Sequence, residues 1–370
     1  MQKKILVIDD SALMRRVLSD IINSDNRFLV KKTANNGIEA LDLIVDQKET
    51  YDGVILDINM PKMNGLELLA NLERFNIKLP IIIVSTLAKE GAKETIRALE
   101  LGAFDFVTKP ESFLEVKSDD FKTRLLERLS LATNLSSTSS ERVIELTKKE
   151  EVFTTPKNNA ISSSDAIMSS RRTLRRSVGN RLIFIACSTG GPKALQQLIP
   201  FLPSDLNVPV LLVQHMPEGF TYSLSHRLNE LSKVEVKEAE DGDILKKGVV
   251  YIAQGGRQMR VVHVNGVESL SITQEGARNG LKPCADITLE SLETSGFDDI
   301  ICVVLTGMGQ DATAGIKILS KTKNLHVIAQ NQETCTVYGM PKVIYESGLV
   351  NEVVPMDKIT EAIIKNLGVQ

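Results

Sequence analysis

Cysteine is scarce in this 370-residue chain, and its four residues lie far apart with no C-x-x-C pair. That spacing indicates neither a zinc site nor a disulfide framework. Histidine is equally rare, with four residues, so a catalytic base of that type has few candidates. They are His215, His226, His263 and His326.

Long apolar runs and an excess of basic charge are also missing. No segment approaches the roughly 20 apolar residues needed to cross a bilayer, and the N-terminal MQKKILVIDD lacks the apolar core of a signal peptide. The net charge of -3 gives no global reason to expect binding to nucleic acid. We therefore expect a cytoplasmic protein of two or three domains that does not span a membrane.

Residues 1–125 alternate between strand and helix patterns. Strand-like runs occur at 4–8, 28–32, 53–56, 80–84 and 104–107, with helical periodicity between them. Five strands alternating with helices predict an α/β fold with one doubly wound parallel sheet.

Acidic, hydroxyl and basic residues follow the strands of this first unit where each strand ends. Carboxylates converging on one sheet edge repel one another unless a hard cation such as Mg²⁺ lies among them. A hydroxyl and an ammonium opposite could hold the oxygens of a phosphoryl group transferred to one carboxylate. The residues concerned are Asp9, Asp10, Asp57, Ser85 or Thr86, and Lys109.

Residues 126–178 are polar and poorly patterned, with serine-rich stretches at 136–140 and 162–164. This composition predicts a flexible linker with some helix at its start. It ends in RRTLRR at 171–176, for which a solvated face is favoured over a nucleic-acid patch because no aromatic residue is present to stack on bases.

Residues 179–370 return to α/β alternation and predict a second doubly wound sheet, with an antiparallel excursion around 233–272. The first strand runs into CSTGGP, which places Ser188 on the turn before a helix. A hydroxyl there is a candidate nucleophile, although a phosphate loop or a plain tight turn is also consistent with the pattern. The G-K-[ST] ending of a P-loop and the G-x-S-x-G of a hydrolase elbow are both absent.

Two further strand ends supply partners for Ser188. The run PVLLVQH ends on His215, and a Gly-rich loop after IICVVL delivers Asp311 at a helix start. An imidazole at that edge could take the serine proton, and a carboxylate could orient the imidazole. Cys187 is a rival nucleophile but ends a buried strand, and His226 and His263 fall within a helix and a strand, where a structural role is favoured.

The first unit resembles the receiver domain of bacterial response regulators over its whole length, including the loop NMPKMNG after Asp57. The resemblance implies a flavodoxin-like fold in which Asp57 is the phosphoacceptor, phosphorylated by a histidine kinase. It implies Mg²⁺ held by Asp10, Asp57 and the carbonyl of Asn59, with Asp9 beside them. It also assigns Ser85 as the hydroxyl that follows phosphorylation, Lys109 as the phosphate partner and Phe106 as the aromatic switch.

The second unit resembles the catalytic domain of chemotaxis protein-glutamate methylesterases. The matching stretches are ACSTGGPKAL, QHMPEGFT, GVVYIAQGGRQM, LTGMGQDATAG and VYGMPK. The resemblance implies a Rossmann-like α/β esterase with an antiparallel hairpin region and no cofactor of its own. In it Ser188 is the nucleophile, His215 the base and Asp311 the orienting acid. It further implies a site lined by Thr189, Gly190, Gly191 and Met308.

The expected function is hydrolysis of glutamate methyl esters on the cytoplasmic part of chemoreceptors, with deamidation of receptor glutamines, under control of a receiver that covers the esterase cleft. A response regulator with a non-catalytic or DNA-binding output is the alternative. Five positions depart from the usual family pattern without removing a triad member: Ala186-Cys187 where Gly-Ala is common, Gln254 for proline, Gln258 for histidine and Ala312 for glycine.

Overall fold

The computed structural model describes residues 2–46, 50–86, 88–110, 119–134 and 180–368. Of the linker predicted at 126–178, residues 135–178 lie outside the described residues. The first unit contains β1 (Lys3–Ile8), α1 (Ala12–Asn23), β2 (Phe28–Ala34), α2 (Gly37–Val45), β3 (Gly53–Asp57), α3 (Gly65–Arg74), β4 (Ile81–Ser85), α4 (Lys89–Glu100), β5 (Asp105–Thr108) and α5 (Asp119–Ala132).

The first sheet is wholly parallel, in the order β2-β1-β3-β4-β5. Its central strands are continuous β-branched and aliphatic runs such as Ile81–Ser85, buried along their whole length because helices cover both faces. Side chains cap the helices that follow. Ser11 caps α1, Asn36 caps α2, and Asn64 forms a reciprocal capping box with Glu67 at the start of α3. The predicted flavodoxin-like doubly wound fold is confirmed.

Helix α5 continues past position 125, where the sequence pattern placed the end of the first unit. Leu126 and Leu129 belong to the core cluster that also contains Phe28 and Val84 of that unit. Residues 126–132 therefore pack with the first sheet, and the polar composition that predicts a linker sets in only after the helix.

The second unit contains β6 (Asn180–Cys187), α6 (Gly191–Gln196), β7 (Val210–Gln214), α7 (Phe220–Leu231), β8 (Glu235–Glu238), β9 (Val249–Ile252), β10 (Gln258–Val264) and β11 (Val267–Thr273). It continues with α8 (Ala285–Ser291), β12 (Phe297–Val304), α9 (Thr313–Leu319), β13 (Asn324–Gln330), α10 (Met340–Glu346), β14 (Glu352–Val354) and α11 (Ile359–Leu367). Seven strands form a parallel sheet in the order β14-β13-β12-β6-β7-β9-β8.

The chain enters this sheet at β6, in its middle, and continues to β7, to the edge strand β8 and back to β9 between them. It then returns to add β12 on the other side of β6. The strand order therefore reverses beside β6, which is where open α/β sheets bind ligands. Strands β8 and β9 pair in parallel within this sheet, whereas β10 and β11 form an antiparallel hairpin, to which Ile244 is joined by an antiparallel bridge with Ser269. The predicted antiparallel excursion is thus narrower than the sequence pattern indicated.

The two units pack against each other through α4. Its apolar side chains share one continuous core cluster with side chains of α6 and α7, among them Leu195 and Phe220. None of the described helices combines the length and the apolar character needed to cross a bilayer.

Candidate active site

Ser188 lies directly after β6, on the turn that opens α6. Gly190 takes the N-cap position in the left-handed conformation, with φ 79°, and Pro192 lies in the first turn of the helix. The Ser188 side chain is close to the surface but only slightly exposed. Gly191 must lack a side chain, because a Cβ there would collide with Oε1 of Gln214. The turn is therefore fixed by packing on the neighbouring strand.

His215 and Asp311 meet at the same sheet edge. His215 follows β7, whose last residue Gln214 pairs with Cys187 of β6, so His215 and Ser188 occupy equivalent positions at adjacent strand ends. The His215 Nε2 atom lies 2.7 Å from Asp311 Oδ2. When Nε2 carries the proton donated to this carboxylate, the neutral ring has its lone pair on Nδ1. Among the described residues no hydrogen bond joins Ser188 Oγ to the ring.

The Asp311 carboxylate accepts hydrogen bonds from several donors. The backbone amide of Ala285 donates to Oδ2 at 2.6 Å, and the amides of Asp286 and Ala312 donate to Oδ1 at 2.9 and 3.0 Å. Burial alone would raise the pKa of Asp311, but the bond to His215 and these amides lower it to about 2. Asp311 is therefore ionised at neutral pH and oriented toward the ring.

Gln214 is a residue of this site that the sequence pattern did not single out. Its buried side chain donates from Nε2 to the carbonyl oxygens of Ser188 and of His215, both at 3.1 Å, and its Oε1 accepts from the Cys187 thiol at 3.0 Å. One amide thus joins the backbones of the candidate nucleophile and the candidate base. An apolar strand run ending in a polar Gln-His pair was the available signal.

Backbone amides around Ser188 differ in their availability to a ligand. The Ser188 amide donates to Thr306 O at 3.0 Å, and the Gly191 amide donates to Ser188 O at 2.7 Å. The amides of Thr189 and Gly190 donate no hydrogen bond within the part of the chain that the structure describes. These two amides can therefore receive a negatively charged oxygen.

The Gly-rich loop after β12 closes the other side of the site. A Cβ at Gly307 would approach Ser188 Cβ to 2.8 Å, so this loop packs against the Ser188 turn, while Met308 is 37% exposed at its rim. Ala312 occupies a position where the family that the second unit resembles usually has glycine, and its φ is 79°. This conformation costs an alanine about 1–2 kcal/mol. Its buried methyl group packs in the core and offsets part of that cost.

Cys187 is fully buried, and burial raises the pKa of its thiol. A protonated thiol that donates to Gln214 is a poor nucleophile. His226 pairs with Glu230 along α7, and His263 bonds Glu268 across the hairpin, so neither reaches the Ser188 turn. His326 bonds Glu352 between β13 and β14.

A second cluster lies at the corresponding edge of the first sheet. Carboxylate oxygens of Asp9, Asp10 and Asp57 lie within 4.8 Å of one another, and Lys109 Nζ lies 3.0 Å from Asp9 and 2.9 Å from Asp57. Burial, opposed by the charge of Lys109, raises the pKa of Asp57. Burial disfavours the Lys109 ammonium, yet the charges of Asp57 and Asp9 outweigh it and raise the pKa of Lys109. An all-oxygen ligand set of this kind fits Mg²⁺.

The remaining predicted residues of the first unit have partners outside this cluster. Ser85 ends β4, and its buried hydroxyl donates to Gly91 O at 3.2 Å and accepts from Thr95. The Asn59 side chain donates to Glu94 at 2.9 Å. The Phe106 ring stacks on Phe220 of the second unit, with centroids 4.6 Å apart.

Comparisons with known proteins match the two units of the chain to two families. Residues 5–118 match the family model described as response regulator receiver domain, and residues 183–363 match the model described as CheB methylesterase. The protein-glutamate methylesterase/protein-glutamine glutaminase 1 of Syntrophomonas wolfei is 39% identical over 99% of both chains. The corresponding protein of Bacillus subtilis is 38% identical over 97% of both.

This chain belongs to that methylesterase family. The membership favours the methylesterase output over the DNA-binding alternative. Among solved structures, the Thermotoga maritima CheB methylesterase catalytic domain is 41% identical to this chain, covers 51% of it and 99% of its own length, and has a TM-score of 0.48.

In this member of the methylesterase family, the first unit contacts the residue beside Ser188. The Thr189 hydroxyl donates to Asp105 Oδ2 at 2.8 Å and accepts from Arg128 Nη1 at 3.0 Å. Arg128 also pairs with Asp105 at 3.3 Å. A residue at the candidate esterase site is thus bonded by two charged residues of the first unit, Asp105 at the start of β5 and Arg128 on α5.

Proposed function

We propose that this protein is a phosphorylation-controlled carboxyl-ester hydrolase of chemotaxis, which demethylates glutamate methyl esters on chemoreceptors and deamidates receptor glutamines. The observation that carries the proposal is the His215–Asp311 hydrogen bond at 2.7 Å, formed at the strand end next to Ser188. The full-length likeness to named methylesterases supports the substrate class.

Acylation begins when Ser188 Oγ attacks the ester carbonyl carbon and His215 Nδ1 accepts the hydroxyl proton. Asp311 stabilises the imidazolium that forms and keeps the ring in the tautomer that exposes the Nδ1 lone pair. The tetrahedral intermediate then expels the methoxy group, which takes the proton from the imidazolium and leaves as methanol. Ser188 remains joined to the glutamyl carbonyl as an ester.

Deacylation repeats the same proton transfers with water. His215 accepts a proton as the water oxygen attacks the acyl carbon, and the Ser188 oxygen leaves with that proton. The glutamic acid side chain so formed loses its remaining proton to solvent and is released as the carboxylate. A glutamine side chain follows the same route with ammonia as the first leaving group.

The oxyanion of each tetrahedral intermediate requires hydrogen-bond donors. The amides of Thr189 and Gly190 are proposed for this role, because those of Ser188 and Gly191 already donate within the fold. Each such donor is worth roughly 3 kcal/mol in acyl-transfer sites.

Control of the esterase is proposed to begin at Asp57, with a histidine kinase as phosphodonor. Asp10, Asp57 and Asn59 would hold Mg²⁺, which when bound neutralises the charge of the transferred phosphoryl group. Lys109 is close enough to Asp57 and Asp9 to bind the phosphoryl oxygens, and Ser85 is placed to donate its hydroxyl once released from Gly91.

The contacts between the two units support inhibition by the unphosphorylated receiver. Asp105 and Arg128 bond Thr189 beside the nucleophile, and Phe106 stacks on Phe220, five residues after His215. A movement of Phe106 on phosphorylation would break this stack and favour a separated arrangement. Activation is then a population shift, which requires that phosphorylation stabilise the open arrangement relative to the closed one.

Methanol release from methylated receptor membranes tests the proposal. Ser188→Ala should abolish release while Asp57 still accepts a phosphoryl group from a small phosphodonor. Asp57→Asn should retain basal release and lose its stimulation. Methanol release that persists in Ser188→Ala would point to another nucleophile and overturn the mechanism.

A further inference from the structure

The thiol of Cys284 contacts the carboxylate that orients the candidate base. Cys284 precedes α8, is 1% exposed, and its Sγ lies 3.2 Å from Asp311 Oδ1. The next two residues, Ala285 and Asp286, donate their backbone amides to the same carboxylate. Cys284 therefore stands at one corner of a set of donors that surrounds Asp311.

The sulfur is a donor in this contact. Burial, together with the charge of Asp311, raises the pKa of Cys284 to about 12, so the thiol keeps its proton over the working range of the protein. A thiol proton facing a carboxylate oxygen at this distance forms a weak S–H···O hydrogen bond.

The backbone of Cys284 is itself fixed. Gln258, fully buried on β10, accepts the Cys284 amide on Oε1 at 2.9 Å and donates from Nε2 to Leu281 O at 3.1 Å and Gly276 O at 3.3 Å. The glutamine side chain thus ties the hairpin to the loop that presents the thiol. Glutamine at position 258 departs from the usual family pattern, so the role of Gln258 follows from its contacts in this structure and not from related proteins.

We propose that Cys284 is a positioning residue for the hydrolysis, acting through Asp311 on His215. The thiol hydrogen bond holds Oδ1 of Asp311 in place so that Oδ2 faces Nε2 of the His215 ring. It also withdraws part of the negative charge of the carboxylate that stabilises the imidazolium. This inference rests on the proposed triad.

Within the ranges that the structure describes, few other ionisable groups face this carboxylate. His215 contacts Oδ2, and Asp286 lies in the same cluster as Cys284 and Asp311. Beyond Asp286, Arg278 pairs with Glu290 at 2.6 Å. Replacing the thiol leaves all of these groups in place, so a comparison of two Cys284 variants isolates the hydrogen bond.

The test uses the full chain with Cys284→Ala, which removes the donor, and Cys284→Ser, which keeps one. The titration midpoint of the His215 ring is followed by NMR, with His215→Gln to assign the resonance. Loss of the donor makes the Asp311 charge more available to the imidazolium, so Cys284→Ala should move the midpoint about half a pH unit higher. Cys284→Ser should stay close to the parent chain. The acid limb of kcat/KM for methanol release should move in parallel, with KM unchanged.

A midpoint shared by Cys284→Ala, Cys284→Ser and the parent chain overturns the positioning role, as does an equal shift in both variants. Thermal unfolding of each variant checks that the fold is intact. The NMR titration does not depend on turnover, so failure of this inference is distinguishable from failure of the esterase proposal, which the Ser188→Ala experiment decides.

Discussion

The contact between the two units predicts that one ion pair restrains the basal activity. Arg227 on α7 donates from Nε to Glu100 Oε1 of α4 at 2.7 Å. Glu100 is nearly buried, whereas the Arg227 side chain is one-third exposed. Arg227→Gln removes this pair from the closed arrangement and changes no residue of the candidate active site.

The size of the effect on the closed arrangement follows from the hydrogen-bond and ion-pair partners that Glu100 retains. In Arg227→Gln it still accepts from Gln196 Nε2 at 2.8 Å and still pairs with Arg97 on its own helix. The stabilisation that the closed arrangement loses is therefore smaller than the roughly 3–5 kcal/mol that leaving a fully buried charge unpaired would cost. It is larger than the contribution of a solvent-exposed ion pair. We take about 1 kcal/mol, which multiplies the open population by about five.

The assay is methanol release with and without a small phosphodonor. Basal release should rise about five-fold in Arg227→Gln, and the release after phosphorylation should stay unchanged, so the stimulation ratio falls by the same factor. Arg260→Gln is the matched control, because Arg260 bonds Glu275 at 2.6 Å and is equally exposed but lies on the hairpin away from α4. Equal basal rates in Arg227→Gln and the parent chain would refute inhibition through this interface.

Two further predictions concern the buried polar groups of the site. Gln214→Leu removes the Gln214 donor from the carbonyl oxygen of His215 and one of the two donors from that of Ser188, which keeps the Gly191 amide; this should lower the free energy of unfolding by about 2 kcal/mol in urea and reduce kcat more than it changes KM. Burial raises the pKa of Asp286 in the folded protein to about 6. The stability that the protonated carboxyl group contributes is therefore present below pH 4, and it is lost as the pH rises through 6 because the buried group must then ionise. At pH 7 the Asp286→Asn variant should therefore be about 2 kcal/mol more stable than the parent chain and unfold at a higher temperature. At pH 4 the two chains should unfold at the same temperature. An equal gain in stability at both pH values would contradict the raised pKa of Asp286.

Local patterns predicted the strands and the strand-end residues because burial and chain geometry act on neighbouring positions. The runs that end on Asp57, Ser85 and His215 are continuous apolar segments followed by a polar residue, and parallel pairing brings such ends to one edge. The clusters at Asp9 and at His215 follow from this rule.

Contacts that join distant segments had no comparable signal. Cys284 resembles an ordinary loop residue until the fold brings it to Asp311, and the polar end of β7 does not indicate that Gln214 joins the backbones of Ser188 and His215. The bonds from Asp105 and Arg128 to Thr189 depend on how two separate sheets meet. The composition after residue 125 predicted a linker. The first unit reaches Ala132 because Leu129 of α5 packs in its core, a contact that the sequence pattern does not show.

The central claim is that Ser188 and His215 act as one unit, and the methanol-release rate of the double variant Ser188→Ala/His215→Ala tests it most directly. Each single variant should lose at least about 10⁴-fold in kcat, and the double variant should fall no further, because either change alone removes the whole nucleophilic route. Losses that multiply in the double variant would show that the two side chains work independently and would contradict the account.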